Sequence, residues 1–362
     1  MTDFLVVGGG LSGMLVAREL IAGGARVTVL ERGELGKEAS WAGGGILSPL
    51  YPWRYPDAVT ALVQWSQRHF PRFIAELVQE TGIDPEWLQS GLLIAEQTEA
   101  EAAASWGQRF GVTVETLSGD RLIELEPGLA SSGFGGGLWL PEVAQIRNPR
   151  LLKALARSLE LRGVVIKTHA EVVEFLEQGD RVLGVRTKDE TLLAAAVVVT
   201  AGAWTTSLLG ALVADWRIAP VRGQMLLFHA APGQVRHVVL KGEHYLVPRR
   251  DGRVLAGSTL EYVGFDKSTT RQAYDELHAA AAAMIPALAR CPVELHWAGL
   301  RPGSAQGIPL ICMHPQRRGL FINAGHFRNG VVTGPASARL LADIIFDRVP
   351  CVDPAPYGLS TI

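Results

Sequence analysis

The side chain best suited to hold a carboxylate is Arg301, which sits among small and cyclic residues in Trp297-Ala-Gly-Leu-Arg-Pro-Gly303. A planar guanidinium pairs with a carboxylate through two parallel hydrogen bonds, a fork that lysine cannot reproduce. A structural ion pair is the alternative reading of the same arginine. A second segment, Ala324-Gly-His-Phe-Arg-Asn-Gly330, places a glycine-containing turn between an expected strand and an expected helix. Free N–H groups at such a helix start favour an electronegative atom of a bound group. The nine histidines and three cysteines (Cys291, Cys312, Cys351) show no HExxH or CxxC spacing, so no metal site is expected. His296, His314 and His326 read as structural. Neither a GxSxG elbow nor a P-loop is present.

Chemistry of a different kind is written at the N-terminus. Phe4 to Val7 reads as a strand, Gly8-Gly-Gly10-Leu-Ser-Gly13 as a turn into a helix, and Val27 to Leu30 as a second strand closed by Glu31. Gly8 permits the tight turn, Gly10 lets the backbone approach a pyrophosphate, and Gly13 lets the helix pack close to the sheet. The first helical turn, with Leu11 and Ser12, offers N–H groups and a partial positive charge to phosphates. Glu31 is placed to accept ribose hydroxyls, with Arg32 beside it. By itself this unit predicts a dinucleotide and leaves NAD and FAD open. Two further small-residue segments could lie against the same cofactor. One is Ser40-Trp-Ala-Gly-Gly-Gly45-Ile46, where Gly44, Gly45 and Ile46 would let the backbone lie flat against a ring; a plain loop is the alternative. The other is Val197-Val-Val-Thr-Ala-Gly-Ala-Trp204, a buried strand running into a turn at Ala201, Gly202 and Trp204; an ordinary core strand is the alternative.

The elements that must position these residues follow from periodicity and punctuation. Helices are expected over 11–21, 58–77 (broken in two by Pro71), 98–111, 149–162, 270–284 and 335–346. Short strands are expected over 92–95, 164–168, 172–176, 181–187, 194–200 and 320–324, and a second sheet over 225–229, 238–240, 245–248 and 254–258, with Arg250-Asp-Gly252 as a hairpin turn. The β-rich stretch 223–296 interrupts an α/β pattern that resumes near Trp297. This predicts an α/β dinucleotide domain carrying a second, mostly β domain.

Bulk properties bound the function. The chain has 362 residues, 48% hydrophobic and 19% charged, with a formal net charge of -2 and no basic stripe, so nucleic acid is not an expected partner. The three scattered cysteines suit a reducing compartment. The longest apolar run, 192–204, is too short to span a bilayer, and no basic segment precedes the first strand, so neither a membrane anchor nor a secretory signal is expected. The expectation is a soluble cytoplasmic enzyme.

Taken in order, GGGLSG, GGGI, VVTAGAW, WAGLRPG and AGHFRNG resemble the FAD-dependent amine oxidases of the D-amino acid oxidase class over nearly the whole chain. The pair WAGLRPG and AGHFRNG is the specific part. The resemblance implies a p-hydroxybenzoate-hydroxylase-like architecture: a Rossmann-like FAD domain from residues 1–85, 142–222 and 297–362, and an antiparallel-sheet substrate domain from 86–141 and 223–296. It implies that Arg301 binds the substrate carboxylate, Tyr245 hydrogen-bonds it and Arg328 is a second active-site arginine. Around FAD it places Ser40 among the cofactor contacts, Gly44, Gly45 and Ile46 beside the flavin ring, Val172 against the adenine, and Gly325, Phe327, Asn329 and Gly330 near the flavin's pyrimidine edge.

The implied reaction is oxidative deamination of glycine, sarcosine and small D-amino acids by oxygen, to glyoxylate or the 2-oxo acid, ammonia and hydrogen peroxide, feeding thiazole synthesis for thiamine. A hydride passes from Cα to flavin N5, so no acid–base residue is required. A homo-oligomer is implied as well. Relatives often carry Asp-Gly after the RPG turn, where this chain has Gln306-Gly307. One branch tethers its flavin through a cysteine near Pro302 to Ala305. Here Cys312 falls in a later strand, so FAD is expected to be non-covalent. The bulky loop Leu50-Tyr-Pro-Trp53 is expected to narrow the pocket. A D-amino acid dehydrogenase on the same fold and a non-catalytic nucleotide sensor are the competing readings.

Overall fold

A computed structural model describes residues 2–213, 216–304 and 307–359. The first unit forms as its spacing predicts. Strand Thr2–Val7 enters the glycine turn, Leu11–Ala22 is helical, and Val27–Leu30 lies parallel to the first strand, with Phe4 opposite Val27 and Val7 opposite Leu30. The sheet built on it runs Leu310–Met313, Leu320–Ala324, Thr191–Val199, Thr2–Val7, Val27–Leu30, Val165–Lys167. Only Leu310–Met313 is antiparallel along this path, and the Val172–Gln178 and Arg181–Thr187 hairpin extends from Thr191–Val199.

Valine-rich central strands suit a parallel sheet because both faces are buried. Val6 and Val198 point to one face, where helices Leu11–Ala22, Asp57–Thr81, Asn148–Leu161 and Gly330–Ile345 pack with Leu15, Phe70, Leu155 and Leu340. Leu5, Val7, Val197 and Val199 point to the other, against Val182 and Val185. The consequence for function is directional. Four parallel strands end at the same edge, so Gly8, Glu31, Thr200 and Gly325 emerge side by side, which is where open α/β sheets bind ligands.

The second sheet runs Val293–Ser304, Ile218–His229, Arg253–Gly257, His244–Pro248, Val238–Lys241, Leu92–Ile94, Gly136–Leu140, Glu115–Ser118. Its pairs are antiparallel except Val238–Lys241 with Leu92–Ile94. One face is covered by helix Arg271–Met284, whose Leu277 and Met284 pack on Phe228 and Leu246. The other carries Met225 and Tyr245 together with Leu50 and Tyr51.

Three expectations are corrected. Asp57–Thr81 is one helix with Pro71 inside it. Pro71 lies on the exposed side, where the carbonyl it leaves unpaired can meet water, while buried Phe70 and Ile74 hold both halves to the core. The last helix starts at Gly330, not Pro335; the Ala336 N–H just past the proline is taken by Ser66 Oγ at 3.0 Å. The α/β pattern resumes at Leu310 and not at Trp297, because Val293–Ser304 is an edge strand paired along Ile218–His229. Its Gly and Pro residues read as a turn in sequence, yet an edge strand tolerates Pro, and Pro302 faces Pro220. The expected boundaries at 222/223 and 296/297 therefore fall inside two paired strands.

Candidate active site

A cavity of about 530 Å³ opens at the carboxyl edge of the parallel strands and is walled on its far side by the second sheet. Apart from Gly13, every residue singled out in the sequence as a cofactor or substrate contact lines it. Gly13 sits just behind, and its reason is steric. A Cβ there would overlap the Gly8 carbonyl oxygen, so the helix could not approach the strand end. Gly8 has φ +112°, and a Cβ on it would overlap the Thr200 carbonyl. Gly10 is different, because its nearest protein neighbour would be Ser40 Oγ at 3.2 Å. The protein crowds position 10 far less than positions 8 and 13, so the turn stays open toward the cavity there.

Ser40 accepts a hydrogen bond from the Leu11 N–H at 2.9 Å, joining two expected contact segments at the helix start. Glu31 is buried and accepts from the Gly9 N–H at 2.7 Å and the Gly33 N–H at 2.9 Å. A carboxylate has roughly four acceptor positions, so about two remain for ribose hydroxyls. Arg32 lies flat over the Trp204 ring, 3.4 Å from its centroid, and Phe265 stacks on Trp204 at 5.4 Å. Val172, on the hairpin strand, completes this end of the wall.

The segment 40–46 is clamped by two residues that local sequence reasoning missed. Asn148 donates to the carbonyls of Ser40 (2.9 Å) and Gly43 (3.1 Å). Arg249 donates to the carbonyls of Gly44 (2.8 Å) and Ile146 (3.0 Å) and to Gln145 Oε1 (3.0 Å). Burial pushes the Arg249 guanidinium down to about 10, still cationic at neutral pH. Gly45 needs its φ of +74°, and a Cβ there would overlap the Ile146 carbonyl. Gly44 presses on the Tyr245 ring, where a Cβ would come within 3.0 Å.

Arg301 projects from the edge strand across the neighbouring one. Its guanidinium lies directly on Gly223, where any Cβ would overlap it. It donates to Ser258 Oγ at 2.7 Å and to the Thr259 carbonyl at 3.1 Å. Among the described residues it has no carboxylate partner, and burial lowers its pKa. Tyr245 is buried, and its hydroxyl lies 3.3 Å from the Met225 thioether, a weak acceptor, and beside the Arg301 guanidinium. A guanidinium with no acid partner among the described residues, set beside a phenol, has the chemistry to bind one carboxylate.

The turn 325–330 closes the cavity. Gly325 and Phe327 both have positive φ, +83° and +48°. Such a conformation costs a bulky residue roughly 1–3 kcal/mol and clusters at functional sites. The Phe327 N–H donates to the Pro302 carbonyl at 2.9 Å, tying the turn to the Arg301 strand. Asn329 and Gly330 then start the last helix with its N-terminus at the cavity. Arg328 reaches Glu243 Oε2 at 3.1 Å. His326 is buried between Asn323 Oδ1 (2.7 Å) and Thr333 Oγ1 (3.1 Å), and burial pushes its pKa down to about 4, so it is neutral.

The three cavity-lining glutamates are all engaged: Glu31 by backbone N–H groups, Glu38 by Arg32 and Lys267, Glu171 by Lys188. None stands free as a base. Cys312 is buried in the core beside the strand Leu320–Ala324, its thiol pushed up to about 11, and no cysteine lines the cavity among the described residues. No group of metal ligands forms among the described residues. Gln306 lies outside them. Nor is any described helix long and apolar enough to cross a membrane.

The chain is similar to known proteins along nearly its whole length. A glycine oxidase of Pseudomonas aeruginosa is 46% identical over 98% of this chain and 97% of its own. The bifunctional protein ThiO/ThiG of Trichormus variabilis is 31% identical over 96% of this chain, which spans 53% of that protein. The crystal structure of glycine oxidase from Geobacillus kaustophilus superposes with a TM-score of 0.93 at 28% identity, covering 99% of this chain and 98% of that one. The family described as DAO, FAD dependent oxidoreductase, matches residues 3–344, and the chain belongs to it.

Proposed function

We propose that this chain is an FAD-dependent glycine oxidase that also accepts sarcosine and small D-amino acids, with oxygen as electron acceptor. The observation that carries the reading is Arg301. It is a recessed guanidinium with hydrogen bonds to Ser258 and Thr259 but no anionic partner among the described residues, next to the buried Tyr245 hydroxyl. The cavity's other end fits FAD: an open approach at Gly10, a helix start, and an anchored Glu31.

Arg301 and Tyr245 would fix the substrate carboxylate, with Arg328 contributing less because it is already paired with Glu243. The clamped segment at Gly44 to Ile46 would hold the flavin's flank in register with that carboxylate. When bound, FAD supplies the two-electron acceptor for the Cα–H bond, and its reoxidation by oxygen yields hydrogen peroxide. The protein's task is then orientation rather than proton transfer, which agrees with the lack of a free carboxylate among the described residues of the cavity wall. Glycine, oxygen and water give glyoxylate, ammonia and peroxide. Leu50 lines the cavity and Tyr51 is buried behind it, favouring small substrates.

A cytoplasmic homo-oligomer supplying thiazole synthesis belongs to the same proposal. The test is stoichiometric: purified enzyme with glycine in air should release glyoxylate and peroxide in equal amounts. Glyoxylate formed without peroxide would instead identify a dehydrogenase.

A further inference from the structure

The two active-site arginines are not equivalent. Arg301 is free for an anion, whereas Arg328 is spoken for by Glu243, 3.1 Å away. The Arg328 side chain is 17% exposed and that of Glu243 64% exposed, so this pair runs from the cavity wall out to solvent. Glu243 sits in the tight turn between strands Val238–Lys241 and His244–Pro248. That turn is fixed. The Tyr51 hydroxyl donates to Glu96 and lies 3.0 Å from the Gly242 carbonyl, the Gly242 N–H donates to Glu96 at 3.3 Å, and Gly242 takes φ +54°. Arg54, next to Tyr51 and paired with Glu99 at 2.9 Å, brings its guanidinium to 4.0 Å from the other Glu243 oxygen. The carboxylate is therefore held by Arg328 at the rim, with a second cation nearby.

The arrangement gives one unsatisfied cation inside and one satisfied cation outside, with a fixed negative charge over the latter. A substrate with a single carboxylate places it on Arg301 and leaves the rim undisturbed. A substrate with a second anionic group on its side chain meets Glu243 where Arg328 would otherwise receive it. Like charges brought together disfavour a wrong ligand, and this is how specificity is built by repulsion. We propose that Glu243 is a specificity-determining charge gate, which rejects amino acids carrying a second carboxylate or similar anion by masking Arg328.

The inference rests on the proposed amino acid oxidation for its substrate class, and its test includes a readout that does not. Glu243→Gln removes the charge, and Glu243→Asp keeps it. In the first variant the kcat/KM for D-aspartate relative to glycine should rise at least tenfold, equivalent to about 1.4 kcal/mol. In the second it should stay within threefold of the parent. Independently of turnover, malonate and acetate are titrated into FAD-loaded protein and followed by the flavin absorbance. The preference for malonate over acetate should rise tenfold or more in Glu243→Gln alone, and the gain should shrink in high salt because the rim is exposed. Unchanged ratios in both measurements, or equal changes in both variants, would overturn the proposal. If the parent fails to oxidise glycine while the malonate preference shifts, the charge gate stands and the substrate reading falls. If glycine is oxidised and neither ratio moves, the charge gate falls alone. Glu243 is exposed at a turn, and a melting curve checks that both variants fold.

Discussion

Replacing Arg301 with alanine removes the one guanidinium among the described cavity residues that is not already committed to an acid, and its contacts set the size of the loss. Of five guanidinium donors, those facing Ser258 and Thr259 are used, together with a longer contact to the Arg222 carbonyl at 3.4 Å. About two donors remain, enough for a two-bond pair with a carboxylate. Hydrogen bonds to charged groups contribute about 1.5–3 kcal/mol each, so two give roughly 3–6 kcal/mol. A Coulomb estimate at 4 Å and an effective dielectric of 20 gives about 4 kcal/mol, inside that range. The value adopted is about 3–4 kcal/mol, a fall in kcat/KM for glycine of roughly 100- to 1,000-fold. Steady-state peroxide production measures it, and acetate titration against the flavin spectrum separates binding from turnover. Arg301→Lys should recover part of the binding through charge but not the fork. FAD content and melting temperature control for collapse of the Gly223 shelf. A kcat/KM within threefold of the parent, in a protein with full FAD content, would refute the assignment.

Other expectations follow from the same geometry. Gly13→Ala should impair folding itself, lowering both melting temperature and FAD content, because its Cβ would overlap the Gly8 carbonyl; Gly10→Ala should fold normally and lose only FAD affinity. Equal melting losses in the two variants would contradict the separate roles of these glycines. Tyr245→Phe deletes a hydroxyl that meets the Met225 thioether and the Arg301 guanidinium, so stability should hold while glycine kcat/KM drops by about 1–1.5 kcal/mol, roughly 5- to 12-fold; an unchanged KM and kcat would remove Tyr245 from the site. His326 has its folded pKa depressed to about 4 by burial, so the unfolded chain binds its proton first. Its contribution is complete above about pH 6.5 and is lost as pH falls toward 4, on the order of 3 kcal/mol. Urea melts of parent and His326→Gln should therefore converge over that window, and parallel pH profiles would show that His326 does not titrate on unfolding.

Much of the site was legible because a parallel sheet converts sequence order into spatial order. Gly8, Glu31, Ala201 and Gly325 each follow a strand, and parallel strands must release them at one edge. Two glycines of the first turn, Gly8 and Gly13, carry the steric reasons that their spacing predicted, whereas a Cβ on Gly10 would meet only Ser40 Oγ. Less legible were contacts that depend on which strands pair across the chain. Arg249 follows a strand end that reads as a hairpin, and nothing nearby marks it as the clamp on Gly44. The shelf for Arg301 is Gly223, seventy-eight positions earlier, and it exists only because Val293–Ser304 pairs with Ile218–His229. The same pairing turned an apparent Gly-Pro turn into an edge strand. Pro71 failed as a helix breaker because tertiary burial on both sides outweighed one lost backbone bond.

The central claim, that this cavity brings FAD and a small amino acid carboxylate together for oxidation, is tested most directly by an anaerobic spectrum. The purified protein should show oxidised-flavin absorbance that bleaches on addition of glycine and returns when air is admitted. Flavin that remains oxidised with excess glycine, sarcosine and D-alanine, while dithionite still reduces it, would contradict the account.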